Sequence, residues 1–203
     1  MYPLLESLCF KNGQYQLLPE HQARVNRAFA HLFPETSPLL LKDILPLDLP
    51  NTQTIKVRLI YGKEGFQVDY HPYEVRKVRA LRLVEGAAIS YKHKYTDRSH
   101  IAQLFERREA ADDIIICKNG LITDSSYANL AFLQNGQWYT PNSPLLHGVK
   151  RQHLLKQKVI TEQEISMDML SEFEAVSLIN AMLDLGEVQL SMSSVKSIRK
   201  SAE

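Results

Sequence analysis

Cysteine is scarce, with Cys9 and Cys117 the only two in 203 residues. Neither sits in a CxxC pair or near a histidine at metal-ligand spacing, so thiolates can build neither a zinc site nor a disulfide framework here. That usage suits a reducing cytoplasm, which is the expected location. An excess of either charge is also missing, since 24 Lys+Arg stand against 23 Asp+Glu for a net charge of +1. Without surplus cations to neutralise phosphates, nucleic-acid binding through a basic face is excluded. Eight glycines and nine prolines are too few for a fibrous or low-complexity chain. No apolar run approaches the roughly 20 residues that span a bilayer, and the opening Met1 to Gly13 lacks the basic-then-apolar order of a secretory leader. No membrane partner is expected.

What is present is ordinary globular material, 44% hydrophobic and long enough for one domain or two small ones with a sizeable core. Leu5 to Phe10, the Asn12-Gly13 turn and Tyr15 to Leu18 read as a β-hairpin. Val25, Phe29, Leu32 and Phe33 recur at helical spacing between Pro19 and Pro34, with His21, Gln22, Arg24 and Arg27 off the stripe. Residues 35–50 read as loop with a short helix. Thr54 to Tyr61, Gly65 to Tyr70 and Tyr73 to Val84 follow as antiparallel strands. The small, turn-prone Glu85-Gly86-Ala87-Ala88 marks a boundary between domains 1–86 and 87–203.

In the second half, Ile89 to Tyr95 is strand-like. Asp97 can cap a helix carrying Ile101, Leu104 and Phe105, and Asp113 to Cys117 is a buried strand. Asn119-Gly120 and Asn135-Gly136 are hairpin turns of an antiparallel meander. Gly148 opens a basic-faced helix through Lys158, and Ala175 to Asn180, Gln189 to Ser193 and Val195 to Ile198 add strands.

Four short patterns recur in order across this half: Lys94-Tyr-Thr-Asp97, Thr123-Asp124-Ser-Ser-Tyr-Ala-Asn129, Thr140-Pro141 and Gly148-Val149-Lys150-Arg151. Singly, each has a bland reading as edge lysine, turn cap or helix entry. Together they resemble the class IV aminotransferase family, the fold-type IV pyridoxal-phosphate enzymes that include branched-chain and D-amino-acid aminotransferases and 4-amino-4-deoxychorismate lyases. Leu5-Glu6 and His21-Gln-Ala-Arg24-Val are similar to the family's N-terminal motifs. The resemblance implies an α+β, two-domain fold with a small N-terminal α/β domain and a C-terminal pseudobarrel rich in antiparallel strands. It also implies pyridoxal 5′-phosphate as cofactor, a small-molecule amino substrate and a homodimer.

By the same resemblance Lys94 is the catalytic lysine that carries the cofactor, and lysine is the side chain whose amine gives up its proton more readily when buried. Asp124 stands where the family usually has Glu, facing the pyridine nitrogen from one methylene shorter, so that the protonated ring can accept electrons. Arg24 and the backbone amides of Val149 and Lys150, behind Gly148 at a helix N-terminus, are the implied phosphate contacts. Taken alone, Arg24 also reads as a solvated rim residue. Asn180 and Ala181 match a turn that touches phosphate and substrate. Lys92 competes with Lys94 on strand periodicity, whereas the Lys-x-x-Asp-Arg pattern favours Lys94. Arg76, Arg79 and Arg82 are candidates for a substrate carboxylate, or else solvated residues of an edge strand.

The Lys-x-x-Asp-Arg segment is more like the lyase's Lys-x-x-Asn-Arg than a transaminase's. The expected reaction is therefore that of an aminodeoxychorismate lyase forming p-aminobenzoate and pyruvate. The alternatives are a branched-chain or D-amino-acid aminotransferase, and an inactive family member that serves as a binding protein.

Overall fold

The computed structural model describes residues 3–50, 52–87 and 89–196. The chain divides into two compact units, Met1–Val75 with His93–Asp97, and Arg76–Lys92 with Arg98–Glu203.

In the first unit, β1 (Leu4–Lys11) and β2 (Gln14–Tyr15) form the expected hairpin, and α1 (Leu18–Leu32) follows. A short α2 (Leu41–Ile44) precedes β3 (Ile55–Gly62) and β4 (Gly65–Pro72). The sheet order is β2-β1-β3-β4, all antiparallel. Strict alternation on β3 turns Ile55, Val57, Leu59 and Tyr61 inward, where they pack with Leu4, Leu8, Phe10, Val25 and Phe29. The buried face of α1 is His21, Arg24, Val25, Ala28 and Phe29, the i, i+3, i+4, i+7, i+8 pattern of an amphipathic helix. His21 and Arg24, placed off the stripe by their polarity, are thus on it, because a buried carboxylate on β1 draws them in.

The second unit holds β5 (Leu81–Glu85), α3 (Ser99–Phe105), β6 (Asp113–Lys118), β7 (Leu121–Ser125), β8 (Asn129–Gln134) and β9 (Gln137–Pro141). It continues with α4 (Val149–Lys156), β10 (Ile160–Gln163), β11 (Ala175–Ile179), β12 (Gln189–Ser191) and β13 (Val195–Lys196). The sheet runs β10-β9-β8-β7-β6-β5-β13, with β11 and β12 branching from β8. Hairpins join β6 to β7 and β8 to β9 as expected. Asn12-Gly13, Asn119-Gly120 and Asn135-Gly136 all adopt positive φ at both residues, the type I′ geometry that matches strand twist. The core is built from Leu81, Ile115, Leu130, Phe132, Val176 and Leu178. A satellite under α4 joins Ala131, Leu154, Ile160 and Ile179.

Three expectations change, and one strand arrives unannounced. The strand read over 73–84 is only Leu81–Glu85, and it pairs in parallel with β6, so the turn at Gly86 lies inside the second unit rather than at a boundary. Ile89 to Tyr95 is not a strand. It makes one bridge, Leu4 to Tyr95, because the chain enters the first unit for His93–Asp97 alone. The N-cap of α3 is Arg98, one residue beyond Asp97, and its own side chain makes no cap hydrogen bond. Strand β10, parallel to β9, carries no turn signal that announces it. The end of the expected 195–198 strand lies outside the described residues.

Candidate active site

In the first unit the sequence candidates are Arg24 and Lys94. Arg24 is buried rather than solvated: its Nε donates to Glu6 Oε1 at 2.8 Å and its Nη2 to Glu6 Oε2 at 2.5 Å. His21 Nδ1 meets the same Oε2 at 2.5 Å. Glu6 and His21 are both completely buried. Burial alone would raise the Glu6 pKa, but the Arg24 charge and the His21 contact overcome it and hold the carboxyl at about 2. Burial lowers the His21 pKa, which keeps the imidazole neutral and makes Nδ1 the donor to Glu6. Among the described residues its buried Nε2 finds no hydrogen-bond partner.

Lys94 is half-buried and Lys92 exposed. The Lys94 carbonyl accepts the Leu5 N–H at 2.8 Å, and Thr96 N–H donates to the Pro3 carbonyl at 3.0 Å. The lysine segment is therefore fastened alongside the strand that carries Glu6. His93 stacks on His31 beside it.

In the second unit, one hairpin end gathers the remaining candidates. Asp124 and Asn129 are register partners across β7 and β8, and Asn129 also faces Ile179 on β11, which leads into Asn180. Asn129 Nδ2 donates to Asp124 Oδ1 at 2.7 Å and to the Leu146 carbonyl at 2.8 Å. The Leu146 N–H donates to Asp124 Oδ2 at 3.0 Å. Burial pushes the Asp124 pKa up to about 6, against the pull of these donors and the Arg151 charge. Its direct partners are neutral, unlike those of Glu6.

Gly148 is the N-cap of α4 and, having no side chain, supplies no side-chain cap, so the first amides of the helix point out unsatisfied by their own helix. A Cβ at Gly148 would collide with Asn129 Oδ1, which is why the position is glycine. The Lys150 side chain is drawn to Asp184, leaving its backbone as the part at the helix start. Asn180 Oδ1 accepts the Met182 N–H at 2.8 Å, and its Nδ2 donates to the Tyr127 carbonyl at 3.3 Å. The side chain thus shapes the turn, and Ala181 presents only backbone and a methyl.

Two proposed substrate arginines are already engaged. Arg76 pairs with the buried Asp113 and lies over the Tyr127 ring at 4.6 Å. Arg82 pairs with Glu109 at 2.6 Å, on a strand flanked on both sides and so not at an edge. Arg79 is exposed. Arg151 is fully buried, giving Nη2 to the Pro141 carbonyl at 2.8 Å and to Glu162 at 2.6 Å. It links the Thr-Pro segment to α4. Among the described residues no cluster of three or more His, Cys, Asp or Glu could hold a metal, and no helix is long and apolar enough to cross a membrane.

Glu6, His21, Asn129 and Leu146 were not assigned roles from sequence. The first three lie within motifs quoted above, which was the available signal. Leu146 acts through its amide and carbonyl, so its side chain carries none.

Residues 4–190 match the model of the amino-transferase class IV family. A Haemophilus influenzae protein is 38% identical over 185 residues, 90% of this chain and 98% of its own. A Schizosaccharomyces pombe protein described as a "putative aminodeoxychorismate lyase" is 32% identical, covering 84% of this chain and 82% of its own. The crystal structure of a "putative 4-amino-4-deoxychorismate lyase" from Haemophilus somnus superposes with a TM-score of 0.87 at 33% identity, over 91% of this chain and 98% of that one. A Mycobacterium tuberculosis "hypothetical aminotransferase", solved in a pyridoxal-phosphate-bound form, shares the fold with a TM-score of 0.78 at 16% identity, over 98% of this chain and 84% of that one. With a family model spanning most of its length and such relatives, this chain belongs to the class IV aminotransferase family.

Proposed function

We propose that this chain is a pyridoxal-phosphate enzyme of the 4-amino-4-deoxychorismate lyase type, releasing p-aminobenzoate and pyruvate. The observation that carries the reading is Asp124, a buried carboxylate whose direct partners are neutral and whose pKa is accordingly raised to about 6. Such a group calls for a cation to be matched against it. A protonated pyridine nitrogen is one. The residues of each unit fit the group: the second unit sets a helix start with outward amides behind Gly148 next to that carboxylate, and the first unit holds an arginine oriented by Glu6.

When bound, pyridoxal phosphate supplies an aldehyde that captures amines and a ring that takes up electrons from a breaking bond. In this proposal Asp124 keeps the ring nitrogen protonated. The amides of Val149 and Lys150, the Arg24 guanidinium and the turn at Asn180-Ala181 hold the phosphate. Lys94 would tether the cofactor, and its Nζ would take the proton from the amine-bearing ring carbon of the substrate. The same Nζ would return that proton to the methylene carbon of the enolpyruvyl group as its ether bond to the ring breaks, which releases pyruvate and leaves the ring aromatic. Lys94 is half-buried where Lys92 is exposed, which supports this choice of lysine. The two lyase-named relatives above 30% identity support lyase over transaminase. A homodimer is proposed as the working assembly, and full activity in a sedimenting monomer at micromolar concentration would count against it.

The test is to incubate purified protein, loaded with pyridoxal phosphate, with aminodeoxychorismate and follow p-aminobenzoate by fluorescence. Release of p-aminobenzoate with equal pyruvate is expected. Conversion of a branched-chain or D-amino acid to its keto acid, without p-aminobenzoate, would assign the chain to the transaminases. A colourless protein that takes up no cofactor would leave it a binding protein.

A further inference from the structure

We propose that Asn129 is a positioning residue that sets the spacing between the Asp124 carboxylate and the start of α4, so that one side chain holds both ends of the cofactor site in this unit. The inference rests on the cofactor reading above. Asn129 is buried, and its Nδ2 is divided between the two ends: 2.7 Å to Asp124 Oδ1 and 2.8 Å to the Leu146 carbonyl. Its Oδ1 abuts the bare Cα of Gly148. The Leu146 N–H closes the ring of contacts onto Asp124 Oδ2 at 3.0 Å. A shorter side chain would lose both bonds, and a side chain at 148 would push Asn129 away. The arrangement works as a strut: the carboxylate cannot shift without moving the loop that feeds the helix amides.

A strut makes a distinct signature. Ligands that touch both ends should suffer when it is removed, and ligands that touch one end should not. Cofactor-free wild type and Asn129→Ala, each shown to be folded by circular dichroism, are titrated with pyridoxal phosphate and with pyridoxal, which lacks the phosphate. The Lys94 tether acts on both probes alike and cancels in their ratio. Asn129→Ala is expected to weaken pyridoxal phosphate by about 10- to 100-fold but pyridoxal by about threefold or less, since two buried hydrogen bonds bridging the ends are lost. Gly148→Ala, which displaces Asn129 from the other side, should lower the same ratio, and it replaces Asn129→Ala if that variant does not fold. Equal losses for both probes, or no loss for either, overturn the positioning role. Wild type that binds neither probe removes the cofactor reading and this role with it.

Discussion

Glu6, beside the proposed phosphate arginine of the first unit, and Asp124, the proposed ring contact of the second, are both buried carboxylates handled in opposite ways. Glu6 is clasped by the Arg24 guanidinium and by His21, and its pKa falls to about 2. Asp124 is held by a side-chain amide and a backbone amide, and burial raises its pKa to about 6. A buried charge needs an opposite charge or it resists ionising. Glu6 therefore has its counterion inside the fold and serves to orient Arg24. Among the described residues no cation touches Asp124 directly, which suits a side chain whose counterion arrives with a ligand.

The comparison can be broken in several places, and the largest effect falls on the lysine it serves. Lys94→Ala should lower turnover by about 10³-fold or more, as expected when a proton-carrying and tethering group is removed, while Lys92→Ala stays within a few fold of wild type in the same p-aminobenzoate assay. Glu6→Gln should destabilise the fold by about 3 to 5 kcal/mol in chemical denaturation, because it leaves the Arg24 charge buried without its counterion.

The pH dependences of the two carboxylates have opposite signs. The lowered Glu6 contributes stability that is present above its ordinary value of 4.5 and is lost as pH falls toward about 2, a window worth about 3 kcal/mol. The raised Asp124 contributes stability that is present below 3.8 and is lost as pH rises through about 6, again about 3 kcal/mol. Denaturation of cofactor-free protein between pH 4 and 7 should show the second loss, and saturating pyridoxal phosphate should abolish it. An Asp124 carboxyl resonance that titrates near the ordinary aspartate value in cofactor-free protein would contradict the contrast.

Arg24→Lys gives the smallest effect, about one to two decades in pyridoxal-phosphate affinity, the worth of a charge-assisted fork to phosphate. It keeps a cation for Glu6, so stability should change little. An unchanged cofactor titration would make Arg24 a structural partner of Glu6 and nothing more.

The contrast also marks what could be read from the sequence. Hairpins with Asn-Gly turns, the alternating β3 and the ordered motifs around Lys94, Asp124 and Gly148 were legible because each is a local pattern. The inward turn of His21 and Arg24 was not, since polarity places such residues outside unless a buried Glu6 draws them in, and that pairing spans 15 and 18 residues. The parallel pairing of β5 with β6 is set by distant packing. The strut at Asn129 depends on the close approach of Gly148, which no spacing reveals. Lys92 and Lys94 look alike to periodicity, and the division of the chain between the two units, which falls between Lys92 and His93, is not a local pattern either.

The most direct test of the account is to load the protein with pyridoxal phosphate, reduce it with borohydride and locate the label by peptide mass spectrometry. The account predicts one label, on Lys94. A label on Lys92 would contradict the assignment of the catalytic lysine, and no label on either lysine would contradict the enzyme itself.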